Sequence, residues 1–361
     1  MLRSASALAL LLCLTAVAAT AQEQTPVLTV RSTLVQVPVQ VKTKSGENVF
    51  ALTADDFIVT DNGVPQRVTI DPDTDFQPLA LAIVVETGGD GAHHLADYYH
   101  LDPILDALIG SIDHRVAVIG FDSTPHLLVP FTPDTAVAAH QLANLQAGDQ
   151  GAAVLDAVAF AVAQLRTQPA SYRRAILLLS ETLDQGSTTT LTDALRLISD
   201  TNTTMYSFAF SSTRSQVSHE ASKFNRPDVP GPAHGCFSRD GADAEYKEHY
   251  SRQVLDCISD LAPPIRLATM AFLAARNALR TNTAESIAQL TGGEFAHFHD
   301  ARDLQRRLIP VSNDVPNYYV LSFRPTDTSP GLHALHVELK DRPHLEVRAR
   351  SEYWIEDDTA R

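Results

Sequence analysis

Few residues of this chain stand at the spacings that reactive sites need. His93, His94 and His100 follow closely on Asp90. A zinc-binding helix presents two histidines at i and i+4 on one face. His94 and His100 are further apart than that, so they read as part of a loop. Cys236 and Cys257 form an even pair, read as a disulfide if the chain is exported. Such a bridge would close a loop of about twenty residues and contribute about 3 kcal/mol. Metal ligation by His234 and Cys236 is the alternative, but no second ligand pair at zinc spacing follows. Gly-x-Ser-x-Gly is absent, so no nucleophile elbow is expected. Gly151-Ala152-Ala153 lacks the Gly-Lys-Ser/Thr core of a phosphate loop. Gly292-Gly293 reads as a helix stop rather than a cofactor turn. Tyr98 and Tyr99 are either exposed contacts in a binding loop or packing residues.

The elements that must position any site alternate in type. Residues 27–76 read as a β segment. Leu34 to Val41 alternates apolar and polar with period two, and Pro38 within it predicts an edge strand or a bulge. Asp61-Asn62-Gly63 predicts a hairpin between Phe57-Ile58-Val59 and Val68-Thr69-Ile70. From Pro78 the pattern changes to continuous apolar runs, as strands buried on both faces require. Leu79–Val85, Val116–Phe121, Ala175–Leu179 and Met205–Phe210 are four such strands, and His126–Phe131 is an antiparallel edge beside the second. Helices are expected over Leu101–Ile112, Thr135–Leu145 and Val154–Leu165, from Thr190 to about Ile198, after Asn282, and over Ala301–Ile309. Asp156 opens one of these and suits a helix N-terminus. This alternation predicts a doubly wound, mostly parallel α/β domain over 78–312. Residues 213–262, rich in Pro, Gly, Ser and charge, interrupt it as a surface excursion or a disordered segment. A strongly helical run follows over Ile265–Leu279. Residues 316–355 are β again, with strands at Tyr318–Phe323, Leu332–Leu339 and Leu345–Ala349. Neither terminal β segment is large enough to fold well alone, so together they are expected to make one small β-sandwich around the inserted α/β domain.

Residues 1–21 read as a signal peptide: Arg3, then the apolar run Ala7 to Ala19, then Ala19-Thr20-Ala21 as a small-x-small cleavage site. An uncleaved anchor is the alternative. Cys13 lacks the small residues that precede a lipid-modified cysteine. No later segment is apolar and long enough to span a membrane. The expected location is therefore periplasmic or extracellular. The formal net charge of −15 opposes phosphate backbones and argues against a nucleic-acid partner. It suits simple solubility, a cation or a basic partner.

The chain resembles the von Willebrand factor A-related proteins of acidobacteria. The resemblance rests on Val37-Pro38-Val39, Leu52-Thr53-Ala54-Asp55-Asp56-Phe57, Asp61-Asn62-Gly63, Leu290-Thr291-Gly292-Gly293-Glu294 and Asn317-Tyr318-Tyr319-Val320-Leu321-Ser322-Phe323, in that order. It implies an A-type domain with a metal-ion-dependent adhesion site at the C-terminal edge of the sheet. In that family an Asp-x-Ser-x-Ser motif, a Thr and a later Asp hold Mg²⁺ or Mn²⁺. Here the corresponding segments are Glu86-Thr87-Gly88-Gly89-Asp90, Gly151-Ala152-Ala153 and Ser180-Glu181-Thr182. Ala152 stands for the Thr and Glu181 for the last Asp, so the site is expected to be degenerate. Glu86, Asp90 and Glu181 would share one rim. Without a cation at least one of them should hold a proton more readily. With one, a repurposed acidic site would take a divalent cation, Mg²⁺, Mn²⁺ or Ca²⁺. The resemblance points to an exported, non-catalytic interaction module. Its rim, built from Glu86, Thr87, Asp90, Ala152, Glu181 and Thr182, would bind a protein or a cell-surface polymer. A metal-free scaffolding subunit of an envelope complex, with the sandwich edge as contact, is the alternative. A metal-dependent hydrolase ranks third, because no general base stands beside a recognisable metal set.

Overall fold

The computed structural model describes residues 34–71, 77–99, 101–109, 112–210, 282–315 and 317–356. The leader over 1–21, the excursion over 213–262 with Cys236 and Cys257, the helix expected over Ile265–Leu279, and His100 lie outside them.

The centre is a six-stranded sheet in the order β10-β9-β8-β5-β6-β7. Its strands are β5 (Leu79–Glu86), β6 (His114–Phe121), β7 (Pro125–Thr132), β8 (Arg173–Ser180), β9 (Thr203–Phe210) and β10 (Phe295–Phe298). All neighbours pair parallel except β7, an antiparallel edge on β6. Every residue of β5 is buried, and period-two alternation sends its side chains to two cores. Leu81, Ile83 and Val85 join one core with Val118, Leu177 and Phe208. Ala80, Ala82 and Val84 face the other, where α3 (Val154–Arg166) packs Ala157, Val158 and Ala161 against them. Small residues on that face let helix and sheet approach closely. The other helices among the described residues are α1 (Asp102–Ile109), α2 (Thr135–Leu142), α4 (Leu191–Thr201), α5 (Thr283–Leu290) and α6 (Ala301–Asp314). Asp134, Thr190, Asn282 and Asp300 cap α2, α4, α5 and α6 by accepting a backbone N–H from the first turn. No described helix is long and apolar enough to cross a membrane.

The terminal β segments interlock. One four-stranded sheet has the order β13-β1-β11-β4, the other β14-β12-β2-β3. The first is built from β1 (Val35–Thr43), β4 (Thr69–Ile70), β11 (Tyr319–Phe323) and β13 (Leu345–Ala349). The second contains β2 (Phe57–Asp61), β3 (Val64–Gln66), β12 (Gly331–Leu339) and β14 (Glu352–Ile355). Val37, Val39, Phe57, Val59, Leu321, Phe323 and Tyr353 fill the core they share. The sandwich is fastened to the α/β domain by Lys42, whose ammonium lies 2.6 Å from the buried Asp314 carboxylate at the end of α6. Arg350 adds hydrogen bonds to Ser199 Oγ (2.9 Å) and Asn202 Oδ1 (3.1 Å) at the end of α4.

Three expectations need correction. Strand β1 is not an edge strand. Its residues 35–39 pair with β11 and residues 39–43 with β13, so Pro38 sits just before the second neighbour begins and costs no ladder bond on that side. The hairpin partner of β2 is Val64–Gln66, not Val68–Ile70. Asn62 and Gly63 both adopt positive φ, a two-residue turn that must lead straight into the return strand, and Thr69–Ile70 crosses to the other sheet. Helix α6 continues through Pro310 to Asp314, driven by burial of Leu308 and Val311, rather than stopping at Ile309.

Candidate functional site

Strands β5 and β8 are parallel neighbours, so Glu86 and Glu181 leave the sheet at the same edge. The Glu86 side chain has no exposed surface. Its Oε2 accepts the Glu181 N–H at 2.7 Å and its Oε1 accepts the Gly91 N–H at 3.1 Å. Burial pushes the Glu86 carboxyl up to about 8, helped by the charges of Glu181 and Asp90, while the two N–H groups pull the other way. Glu181 is also buried, and its Oε1 accepts from Gln185 Nε2 at 2.6 Å. Asp90 is half-buried in the 3-10 turn Gly89–His93 that carries Gly91.

The other rim residues serve the backbone. Thr87 is buried, and its hydroxyl donates to the Phe121 carbonyl at 3.0 Å. Ala152 is buried, and its carbonyl accepts the Gln185 N–H at 2.8 Å. The Thr182 carbonyl receives the Thr283 N–H at 2.8 Å, joining the rim to the start of α5. Gly88 passes so close to its neighbours that a Cβ there would lie 2.3 Å from the Gly151 carbonyl oxygen and 2.7 Å from Asp122 Cβ. A Cβ on Gly91 would meet Glu86 Cγ at 2.7 Å. The loops have therefore closed over the place where a hydroxyl-bearing residue would stand.

This donor set does not fit a metal of the adhesion-site kind. A hard cation needs several oxygens free to converge on it. Both Glu86 oxygens already accept backbone N–H groups, the Thr87 hydroxyl is turned to a carbonyl, and positions 88 and 152 carry no hydroxyl. Among the described residues no three His, Cys, Asp or Glu side chains are grouped to hold a metal ion.

The histidines divide. His93 is exposed, whereas His94 is anchored, with Nδ1 2.9 Å from Asp97 Oδ2 and its ring stacked on Phe210 at 4.2 Å. Of the two tyrosines, Tyr98 is buried and Tyr99 half exposed. Asp156 accepts the Thr188 and Thr189 N–H groups (2.9 and 2.7 Å), so it clips the 184–190 loop to the first turn of α3.

The exposed part of the rim comes from residues that sequence patterning did not single out. After β6, Ser123 donates through both its backbone N–H and its hydroxyl to the carboxylate of Asp149. Gly151 N–H donates to the same group at 2.7 Å. Ser123 and Gly151 together hold Asp149 below the usual carboxylate range. The Asp149 N–H donates in turn to Asp122 Oδ2 at 3.2 Å. The signal for this pairing was thin: an Asp-Ser-Thr run after one strand and a Gly-Asp turn more than twenty residues later.

Residues 100–183, from the start of α1 to the loop after β8, match the von Willebrand factor type A domain family. No curated protein matches the chain. Among solved structures, a von Willebrand factor type A structure from Catenulispora acidiphila is 10% identical, with 91% of this chain and 76% of that one covered and a TM-score of 0.40. The conserved hypothetical protein BatB from Bacteroides thetaiotaomicron is 13% identical, with 66% and 98% covered and a TM-score of 0.36. Proximal thread matrix protein 1 from the mussel byssus, with a zinc-occupied adhesion motif, is 10% identical, with 74% and 50% covered and a TM-score of 0.39. Similarity at this level says nothing of partners or ligands.

Proposed function

We propose that the chain uses its von Willebrand factor A-related domain as a non-catalytic interaction module, exported to the periplasm or beyond. It would bind a protein or a cell-surface polymer at the sheet rim without a bridging metal ion. The observation that carries this reading is the Glu86 carboxyl group: it ties the ends of β5 and β8 and the Gly89–His93 turn together through two backbone N–H groups. A rim fixed by the protein itself is organised before its partner arrives, which reduces the ordering cost of binding. The exposed face of that rim is acidic at Asp149, with Asp122 and Asp90 half-buried beside it, and the chain carries a net charge of −15. Those charges favour a partner with basic or hydrogen-bond-donating groups.

Two measurements test this. Calorimetric titration with Mg²⁺, Mn²⁺ and Ca²⁺ should give no heat of site binding. A photoreactive residue placed at Gln150 or His93 should cross-link the partner in the producing organism with chelator present. The same residue at Arg115, on the opposite edge of the sheet, should not. Equal capture at Arg115, or loss of capture on chelation, would remove the reading.

A further inference from the structure

A cleft of about 430 Å³ opens where α4 meets the sandwich, and no rim residue lines it. Small-molecule sites have volumes of about 300–1,000 Å³ and apolar walls with a few placed polar groups. The walls here are Leu191, Leu195 and Ile198 of α4, Leu290 at the end of α5, Leu332 of β12 and Trp354 of β14. The Arg196 guanidinium lies over the Trp354 ring at 5.4 Å.

One polar group on this wall is left over. Glu352 lines the cleft and is 5% exposed. Among the described residues its Oε1 has no hydrogen-bond partner. A buried acceptor without a donor destabilises the fold, so a carboxyl group kept that way beside a cleft invites a ligand donor. Arg350 beside it is already engaged: Nε donates to the Glu352 carbonyl, and the other nitrogens donate to Asn202 and Ser199. Burial pushes the Glu352 carboxyl up to about 7 against the pull of Arg350. Two guanidinium groups and apolar walls disfavour a cationic ligand, and neither guanidinium is left to hold an anion, because Arg350 is engaged as above and Arg196 donates to Glu356 Oε1 at 3.2 Å.

We propose that this cleft is a binding site for a neutral, apolar small molecule bearing one N–H or O–H donor, which meets the Glu352 carboxyl group. The inference is independent of the rim and of any partner there.

The chain has one tryptophan, and it lines the cleft, so its emission reports on this site alone. The probe is N-phenyl-1-naphthylamine, a neutral aromatic with a single N–H, titrated into the full chain. Saturable dye fluorescence with matching energy transfer from Trp354 is expected. Glu352→Leu should weaken the amine by about tenfold or more while leaving 1-phenylnaphthalene, which has no donor, bound as well as before. If Glu352→Leu does not fold, Thr192→Tyr at an exposed position of the cleft wall serves instead and should reduce binding of both probes. Absence of binding, dye binding with no Trp354 response, or equal behaviour of the two probes in Glu352→Leu would overturn the site. So would sedimentation showing that a second copy of the chain fills the cleft.

Discussion

Glu86 ends β5 and Glu181 follows directly on its parallel neighbour β8, and the carboxyl group of the first accepts the backbone N–H of the second at 2.7 Å. Two acidic residues brought together at a sheet edge would ordinarily call for a cation between them. Here one of them bonds to the other's main chain instead. The tie performs the mechanical part of a metal's work, joining two strand ends and a turn, but adds no open coordination position.

Burial of the Glu86 carboxyl, which outweighs the pull of its two N–H partners, makes stability fall with rising pH. The Glu86 carboxyl has an ordinary value of 4.5 and is raised to about 8 in the fold. Between those values the folded chain holds a proton that the unfolded chain has released, so raising the pH favours unfolding. Urea denaturation at pH 5.5 and 8.5 should show the wild type losing about 2–3 kcal/mol more than Glu86→Gln, which cannot ionise. Parallel losses in both proteins would show that Glu86 does not titrate in this window.

Rebuilding the adhesion motif should fail. Gly88→Ser restores a hydroxyl but forces its Cβ to 2.3 Å from the Gly151 carbonyl oxygen. The expected result is a loss of about 2–4 kcal/mol with no gain in Mg²⁺ or Mn²⁺ binding. Denaturation and calorimetry on the same sample check both parts.

Lys42→Met should leave Asp314 buried and unpaired at the joint between sandwich and α/β domain. The expected cost is about 3–5 kcal/mol, most of it recovered when Asp314→Leu is added. Full additivity in the double variant would mean that the pair is not coupled.

A second titration lies in the sandwich. His333 Nδ1 is 3.0 Å from Asp61 Oδ1, its Nε2 is 2.8 Å from the Ser329 carbonyl oxygen, and Tyr353 donates to Asp61 Oδ2 at 2.8 Å. Burial opposes the imidazolium, but the bonds to Asp61 and Ser329 outweigh it and hold the pKa above its usual 6.5. The stabilisation is complete below 6.5 and is lost as the pH rises through the higher folded value. In Asp61→Asn that slope should vanish. An NMR titration of the His333 ring checks the shift directly.

The α/β domain was readable because its strands are buried on both faces and carry unbroken apolar runs, which few other structures produce. The sandwich was readable as two terminal segments that come together, but not in which strands pair with which. Pro38 marks a missing bond without saying on which side a partner would lie. Thr69–Ile70 looks like a return strand until the Asn62-Gly63 turn fixes where β3 must begin. Glu352–Ile355 is a fourth C-terminal strand that the polar start Ser351-Glu352 concealed. At the rim, the identities of Glu86 and Glu181 were visible, and so was the loss of hydroxyls at positions 88 and 152. That two backbone N–H groups occupy the Glu86 carboxylate was not, because it depends on where distant loops turn their amides. Asp122 and Asp149 were missed for the same reason: nothing local joins them.

The pairing of Val35 with Phe323 and of Thr43 with Leu345 imposes a timetable on synthesis. At about 5–20 residues per second, β1 leaves the ribosome some tens of seconds before β11 and β13 exist. During that interval Val35, Val37, Val39 and Val41 form a bare apolar stripe with a free backbone edge on either side. Pro38 and Lys42 are the kinds of residue that discourage such a strand from joining a neighbouring chain. Their places in β1 guard the wait as much as they serve the finished fold.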